Sequence, residues 1–249
     1  MNNKLALAVT KAGMILLESG AETYRVEDTM QRICFNYGAN TCDAYATPTM
    51  LLISFSKDGE LYHNVKRTSV KTVDLNKIER VNTLSRRISE EQMPLEDFMY
   101  ELEKIDAEMV YDDWMKIIAS AIAVFGFAWF YGGTLLDAIC SLFVGVVLKM
   151  ILICVDKIEF STFFKTLFGG ALVTLISIIA ARIGLCDSLD TLIISVIMLL
   201  VPGLAFTNAI RDAVNGDLLS ALARMLEAIF VAVAIALGSG VIFWIFGGF

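Results

Sequence analysis

A 42-residue segment, residues 115–156, contains only four charged side chains, and it constrains the fold more than any other feature. A helix crosses a membrane in about 20 residues, so this segment is too long for one span and long enough for two. The pair Gly132–Gly133 marks a tight turn near its middle. We therefore predict two membrane-spanning helices, over about 115–133 and 135–155.

Charge is distributed unevenly along the 249 residues. Residues 1–114 contain 13 Lys/Arg and 19 Asp/Glu, whereas residues 115–249 contain only 7 and 8. Three further apolar segments in the second part are predicted to be spans, over about 163–183, 188–206 and 219–246. The chain is therefore predicted to be a polytopic α-helical membrane protein with about five transmembrane helices, residues 113–249, preceded by a cytoplasmic α+β domain, residues 1–112.

Basic residues predict the orientation, because cytoplasmic loops carry an excess of Lys and Arg. One side of the predicted bundle has Lys116, Lys149, Lys157, Lys165, Arg211 and Arg224, and the other has Arg182. We expect the N-terminal domain to be cytoplasmic and the protein to lie in the inner (plasma) membrane. We recognise no cleavable signal peptide. The net charge of −7 argues against nucleic-acid binding, which favours a basic face.

The N-terminal domain has both helical and strand patterns. Ser19 with Glu22 three residues later matches a capping box, which predicts a helix from about 20 to 36 after an amphipathic helix that Gly20 ends. Asp58-Gly59 is a hairpin signal between two β-rich segments. The remaining predicted elements are helices over 3–18, 75–89 (capped by Asp74) and 95–107 (started by Pro94), and strands over 41–47, 49–56 and 61–68.

Charged residues cluster where the first two helices meet. The cluster contains Glu18, Glu22, Arg25, Glu27 and Asp28. One interpretation is helix capping and a solvated face; another is a cytoplasmic vestibule that meets solutes near the membrane. No catalytic set, Gly-rich phosphate loop or CxxC pair is recognisable, so we predict no catalytic residues, metal site or cofactor. His63 is a lone histidine on a predicted hairpin strand.

Two polar stripes interrupt the apolar C-terminal part. Spacings of three and four residues place four side chains on one face of the last helix, namely Asp217, Ser220, Arg224 and Glu227. A similar pattern precedes them, namely Asn208, Arg211, Asp212 and Asn215. The stripes either face each other across Gly216 or share one partner surface.

Buried charges of this kind are costly, since an Arg at the bilayer centre costs about 2.5–3.5 kcal/mol on insertion scales. We expect these groups to pair or to line water. Pro202-Gly203 can break the helix just before them, and transporters often build solute sites at broken helices. The alternative is an interfacial loop with ordinary salt bridges at the cytoplasmic surface.

Three segments together resemble a known family: ESGAETYRVEDTM at 18–30, TPT at 47–49 and LVPGLAFTNAIRDAVNGDLLSALARMLEA at 200–228. They resemble the threonine/serine exporter (ThrE) family, in particular its short, split YjjP branch. The resemblance covers nearly the whole chain. It implies export of threonine and serine driven by the proton motive force, or succinate efflux as associated with the YjjP branch, together with a separate small membrane protein of the YjjB type.

On this hypothesis the chain is a secondary exporter subunit for small carboxylate metabolites, not an enzyme. Arg211 and Arg224 would hold a carboxylate, since the guanidinium fork suits that geometry. Hydrogen bonds would come from Thr207, Asn208 and Ser220. The groups that carry protons or balance charge would be Asp212, Asp217 and Glu227. Glycines such as Gly145, Gly169 and Gly170 fit close helix packing and are compatible with a homo-oligomer.

Two alternatives remain at this stage. The first is a membrane-anchored enzyme with its chemistry in the soluble domain, around Glu22, Arg25 and His63. The second is a structural or sensory subunit, in which the charges of residues 208–227 hold an interface together and a partner carries the transport path.

Overall fold

The computed structural model describes residues 2–68, 72–108, 111–156 and 161–246. Lys157, used above for the orientation, lies outside these ranges. The described chain is mostly helical with one small sheet. Its helices are α1 Asn2–Glu18, α2 Thr23–Asn36, α3 Leu75–Glu91, α4 Leu95–Ala107, α5 Asp113–Phe130, α6 Leu135–Asp156, α7 Thr162–Arg182, α8 Leu189–Ile197, α9 Gly203–Val214 and α10 Leu218–Phe246; its strands are β1 Thr41–Thr47, β2 Met50–Lys57 and β3 Glu60–Arg67.

The chain folds into two compact units. The first consists of Met1–Val110 with Leu204–Met225, and the second of Tyr111–Gly203 with Leu226–Phe249. The first unit thus includes α9 and the beginning of α10, which the predicted division at residue 112 assigns to the membrane part. The division of the chain into a domain of residues 1–112 and a domain of residues 113–249 stays a prediction.

The sheet of the first unit is an antiparallel meander in the order β1-β2-β3. The central strand alternates cleanly, and its residues Leu51, Ile53 and Phe55 are fully buried. Asp58 and Gly59 both have positive φ, 56° and 79°, as a two-residue hairpin of the type I′ class requires. The strand and hairpin predictions are therefore confirmed.

Helix α2 supplies the face that covers this sheet. Val26, Met30 and Ile33 recur at spacings of four and three, and all three are completely buried in the same core as β2. Burial of each such side chain contributes about 1.5–3 kcal/mol. This core fixes the beginning of α2, and with it the turn between α1 and α2.

The capping-box prediction at Ser19 is wrong. Helix α2 begins at Thr23, and Glu22 is its N-cap residue but makes no capping hydrogen bond with its side chain. Gly20 has φ of +88°, so the chain turns there instead of continuing into a helix. The carboxylate of Glu22 binds arginine side chains, as described below, and is not available to cap. By contrast, the Asp74 cap is confirmed, since its Oδ1 accepts a hydrogen bond from Lys77 N at 3.0 Å.

Four described helices are long and apolar enough to cross a membrane: α5, α6, α7 and α10. They match four of the five predicted spans. The predicted span over 188–206 is not one continuous helix, because α8 ends at Ile197 and α9 begins at Gly203. Nine residues of α8 extend only about 14 Å, less than half of a hydrocarbon core. The total of five spans therefore stays a prediction.

Within the second unit, α7 and α10 cross where both are made of small residues. A Cβ at Gly238 would lie 2.0 Å from the carbonyl oxygen of Leu167, and a Cβ at Gly170 would lie 2.8 Å from that of Ile235. The hydroxyl of Ser239 donates to Gly170 O at 3.3 Å. Small residues allow this close approach of two backbones. Gly170 therefore packs against α10 of the same chain.

Candidate functional site

A polar network in the first unit joins the α1–α2 turn to α9 and the beginning of α10. The sequence pattern of α9 and α10 places its polar side chains toward this turn. We call the five charged members the arginine cluster; they are Glu22, Arg25, Arg211, Asp212 and Arg224. Two ion-paired groups make up the cluster, and they differ in exposure.

The first group is a buried ion pair between Arg224 and Asp212. Arg224 Nε lies 3.0 Å from Asp212 Oδ2, and the two side chains are 11% and 0% exposed. The contact is an ion pair without the alignment of a hydrogen bond. Arg224 Nη2 also donates to the carbonyl of Ala21 at 2.7 Å, and Asp212 Oδ1 accepts from Thr23 N at 3.2 Å. This group therefore fixes the turn onto α9 and α10.

Asp212 is fully buried, and burial raises its pKa above the ordinary value. Hydrogen bonds from Thr23 and the charge of Arg224 act in the opposite direction but do not cancel the effect of burial. Asp212 is thus a carboxyl group that is easier to protonate than an exposed aspartate.

The second group consists of Glu22 between two arginines. Arg211 Nη1 donates to Glu22 Oε1 at 2.5 Å, and Arg25 Nη1 lies 3.4 Å from Glu22 Oε2. Glu22 is only 7% exposed, whereas the side chains of Arg211 and Arg25 are 61% and 44% exposed. Burial of Glu22 opposes its ionisation, but a backbone hydrogen bond and the two arginines outweigh burial and lower its pKa. Glu22 is consequently ionised at neutral pH.

Uncharged and acidic groups complete the network. Asn208 Nδ2 donates to the carbonyl of Gly20 at 2.9 Å. The hydroxyl of Thr23 donates to Asp217 Oδ2 at 2.6 Å. The buried Ser220 is 3.5 Å from the carbonyl of Ala46, to which its hydroxyl donates. The two polar stripes of the sequence therefore both contact each other, through Arg224 and Asp212, and share the α1–α2 turn.

Glu27 also binds Ala46, near the end of strand β1. Its Oε1 accepts a hydrogen bond from Ala46 N at 2.8 Å. Burial raises the pKa of Glu27; the hydrogen bond from Ala46 opposes this, and the charges of Asp217, Asp28 and Asp212 add to it. Ala46 thus binds Glu27 through its N–H and Ser220 through its carbonyl oxygen.

Other predicted site residues lie outside the arginine cluster. Thr207 is exposed, and its hydroxyl donates to Leu204 O in its own helix. Glu18 accepts a hydrogen bond from the hydroxyl of Thr68 at 2.8 Å. Pro202 and Gly203 lie at the break between α8 and α9, and the half-buried Glu227 belongs to the second unit.

His63 lies on the edge strand β3, opposite Ser54, and is exposed. Glu22 and Arg25 lie at the beginning of α2, where they bind each other and Arg211. Among the described residues, no three His, Cys, Asp or Glu side chains are grouped as metal ligands.

Several contacts of the network escape sequence reasoning because they use backbone atoms. The carbonyl oxygens of Gly20, Ala21 and Ala46 accept hydrogen bonds from α9 and α10, and Thr23 donates with both its N–H and its hydroxyl. Hydrophobic periodicity does not report on such groups. The available signal is the segment ESGAETYRVEDTM, which contains Gly20, Ala21 and Thr23.

The network joins two of the three segments that carry the resemblance noted above, residues 18–30 and 200–228, and a family model covers all three. The model described as "Putative threonine/serine exporter" matches residues 8–246. The chain belongs to this family. It is also similar to a curated protein named "Probable threonine/serine exporter" from Mycobacterium tuberculosis (strain ATCC 25618 / H37Rv), with 24% identity over 227 residues. No solved structure matches the chain.

The match to the mycobacterial exporter covers 90% of this chain and 43% of that protein. The chain thus spans less than half of the length of this relative. Membership in the threonine/serine exporter family, together with four apolar helices, indicates a multi-pass membrane protein. Both the family model and this relative are described as exporters.

Proposed function

We propose that this chain is the subunit of a secondary exporter that binds a small carboxylate solute, threonine or serine first, through the arginine cluster. The observation that carries the proposal is an exposed guanidinium, Arg211, held against the buried carboxylate of Glu22, in one of the segments that carry the resemblance to the family. A guanidinium matches a carboxylate geometrically, and partial burial strengthens the interaction relative to bulk water.

The balance of charge favours an amino acid over a dicarboxylate. The three arginines of the cluster are outnumbered by the carboxylates around them, those of Glu22, Asp212, Asp217, Glu27 and Asp28, so the region has more acids than bases. A zwitterion brings an ammonium group for the acids and a carboxylate for Arg211. A dianion such as succinate would add two negative charges to an acidic region. Succinate is therefore the rival substrate in the test.

Arg224 has a different role in this proposal, because its guanidinium is buried against Asp212 and Ala21. We assign it the positioning of the turn, while Arg211 meets the solute. Asn208, Thr207 and Ser220 supply hydrogen bonds to solute or to backbone. The acids proposed to carry protons or balance charge are Asp212, Asp217 and Glu227. Pro202 and Gly203 shape the helix break, and Glu18, Glu22, Arg25 and Glu27 form the cytoplasmic vestibule.

We further propose that the first unit faces the cytoplasm of a cell with the protein in its inner membrane. A separate small membrane protein of the YjjB type is the proposed partner, as the resemblance to the split YjjP branch implies. Association between copies of this chain is compatible with the proposal.

The test is efflux from cells preloaded with a labelled threonine dipeptide or with labelled succinate. Cells would carry this chain alone, this chain with a YjjB-type protein, or neither. Faster loss of threonine only with both proteins supports the two-part exporter and its substrate. Faster loss of succinate instead would transfer the proposal to dicarboxylates. Unchanged efflux of both solutes, with both proteins present in the membrane, would refute it.

Arg211→Ala tests the site itself. We expect efflux to fall at least about tenfold while the protein stays in the membrane, because one charge-assisted contact to a carboxylate contributes about 1.5–3 kcal/mol. The matched control is Arg32→Ala in the same unit, where Arg32 contacts Ser85 and not the arginine cluster. Wild-type efflux by the Arg211 variant would remove this residue from the site.

A structural or sensory subunit is the second candidate, and the full burial of Asp212 favours it. In that case Arg211→Ala leaves transport by the complex intact, whereas variants of Asp212 and Arg224 reduce the amount of assembled complex.

A further inference from the structure

Glu22 binds the two exposed arginines, Arg25 and Arg211, as the carboxylate of a bound solute would. One of its carboxylate oxygens contacts Arg211 and the other contacts Arg25. Each guanidinium has five N–H donors and uses one nitrogen for this contact. The bridge therefore leaves donors on both arginines for a second acceptor.

Exposure separates this bridge from a purely structural ion pair. In the Arg224–Asp212 pair both side chains are buried, with exposed fractions of 11% and 0%. In the bridge the side chain of Glu22 is only 7% exposed, but those of Arg25 and Arg211 are 44% and 61% exposed. A solute can therefore reach Arg25 and Arg211 from the solvent, whereas it cannot reach the buried Arg224. Release of the two arginines requires Glu22 to turn toward water or to take up a proton, because a buried carboxylate without a counter-ion is costly.

We propose that Glu22 is a resident counter-ion that the carboxylate of the solute displaces from Arg25 and Arg211. This inference rests on the proposed binding of a solute carboxylate at Arg211, and it adds Arg25 as a second arginine that holds the solute. Before binding, Glu22 neutralises the arginines; after binding, the solute does so. Glu22 is thus an internal competitor, tethered to the N-terminus of α2.

A tethered competitor lowers the apparent affinity for the solute. If the bridge is open for about one tenth of the time, the apparent dissociation constant rises about tenfold above the intrinsic one. Glu22 remains ionised at neutral pH because the arginines lower its pKa, so the competition persists there. Removal of its charge should consequently tighten binding, whereas removal of either arginine should weaken it. A merely structural role predicts weaker binding for all three variants.

The experiment is isothermal titration calorimetry on the purified full chain in detergent micelles, with L-threonine and succinate as probes. L-threonine amide, which lacks the carboxylate, is the control ligand. The variants are Glu22→Gln, Arg25→Gln and Arg211→Gln. The matched control variant is Glu91→Gln, since Glu91 also pairs with an arginine, Arg87, but lies on α3 and outside the arginine cluster.

We expect Glu22→Gln to bind threonine about tenfold more tightly than the wild type. We expect Arg25→Gln and Arg211→Gln to bind it more weakly, and Glu91→Gln to bind it as the wild type does. Threonine amide should show no gain with Glu22→Gln. If Glu22→Gln unfolds, Glu22→Asp replaces it: the shorter side chain keeps the charge but reaches the arginines less well, and should tighten binding to a smaller extent.

Equal or weaker binding of threonine and succinate by both Glu22 variants would overturn the inference, as would the absence of binding to any of the proteins. The efflux test separates this failure from failure of the proposed function. Export of threonine by cells without tighter binding by Glu22→Gln refutes only the counter-ion. Tighter binding by Glu22→Gln without any export refutes only the export.

Discussion

Arg211 and Arg224 belong to one network, but their surroundings give them different properties. Arg224 is buried against Asp212 and a backbone carbonyl, so its charge cannot be exposed without breaking the turn. Arg211 binds the buried Glu22 while more than half of its own side chain stays exposed. At the scale of a single residue, burial thus separates a group that holds the fold from a group that can meet a solute.

The first prediction concerns the buried pair. Arg224→Met should lower the free energy of unfolding of the first unit by about 3–5 kcal/mol, because it leaves Asp212 buried without its counter-ion. The double variant Arg224→Met with Asp212→Leu should cost clearly less, since no charge is then left buried. The measurement is thermal or chemical unfolding of the purified chain. Arg87→Gln, in the exposed pair with Glu91, is the control and should change little.

Equal destabilisation by the single and the double variants would show that Asp212 does not depend on Arg224. In that case the hydrogen bonds of Asp212 to the turn would be the stabilising contacts.

The second prediction concerns Glu27 and pH. Its pKa is raised in the folded protein, so the folded state binds more protons than the unfolded state between the ordinary and the raised pKa. The contribution of Glu27 to the free energy of unfolding is therefore greatest at low pH, and it is lost as pH rises through the raised pKa. Glu27→Gln keeps an oxygen for the N–H of Ala46 and has no charge. It should be more stable than the wild type at pH 8, with the difference vanishing toward pH 4.

Unfolding midpoints of both proteins between pH 4 and pH 8 test this prediction. Glu60→Gln, on the exposed edge strand, is a suitable control. A difference between Glu27→Gln and the wild type that does not depend on pH would contradict it.

At the scale of elements, α7 and α10 illustrate why small residues occur in membrane helices. Their backbones approach so closely at Gly238 that even a methyl group would overlap the carbonyl of Leu167. No hydrophobic driving force acts between helices within lipid, so association depends on packing and hydrogen bonds such as that of Ser239. The crossing requires glycine for its geometry.

The third prediction compares two glycines of α10. Gly238→Ala should destabilise the second unit by roughly 1–3 kcal/mol, because the new Cβ would have to displace backbone. Gly240→Ala should be neutral or stabilising by up to about 1 kcal/mol, since no described atom beyond the adjacent backbone of its own helix lies within 4 Å of its Cβ position and alanine favours helix. Thermal unfolding in detergent measures both. Equal effects of the two substitutions would contradict the crossing.

Most elements follow from the sequence, but the partners of the polar groups do not. Periodicity and turn chemistry predict the strands, the Asp58-Gly59 hairpin, the Asp74 cap and four apolar helices, since each of these signals is local. The bonds of Arg224 to Ala21 and of Asn208 to Gly20 join residues about 200 positions apart, and two of the four atoms are carbonyl oxygens. Sequence spacing contains no information on such pairs.

The misplaced start of α2 has the same origin. Ser19 and Glu22 have the spacing of a capping box, but Glu22 binds Arg211, which the local pattern cannot show. The long-range ion pair replaces the local cap, and helix α2 begins at Thr23.

At the scale of the whole molecule, the first unit is assembled from two separate parts of the chain. Residues 204–225 belong with the N-terminal residues, although a run of some ninety residues of the second unit lies between them. The buried carboxylates at the centre of the arginine cluster come from both parts, Glu22 from one and Asp212 from the other. The N-terminal residues alone therefore lack the polar partners of their α1–α2 turn, although their hydrophobic core comes from residues 5–105.

The fourth prediction follows from this division. A fragment of residues 1–112 should unfold at a lower temperature than the same fragment mixed with a peptide of residues 200–228, because the peptide restores the partners of Gly20, Ala21 and Thr23. Circular dichroism during heating measures the shift. A peptide with Arg211, Asp212 and Arg224 replaced by alanine is the control and should give a smaller shift. Equal melting with and without the native peptide would contradict the prediction.

The division of the first unit also sets an order for biosynthesis. A ribosome adds roughly 5–20 residues per second, so the segment that completes the first unit follows its N-terminal part by on the order of ten seconds. During this interval α5 to α8 are synthesised, while the turn around Glu22 still lacks Arg211 and Arg224. The nascent N-terminal part therefore lacks its ion-pair partners during this interval. Any delay in membrane insertion prolongs the period in which chaperones and proteases can act on it.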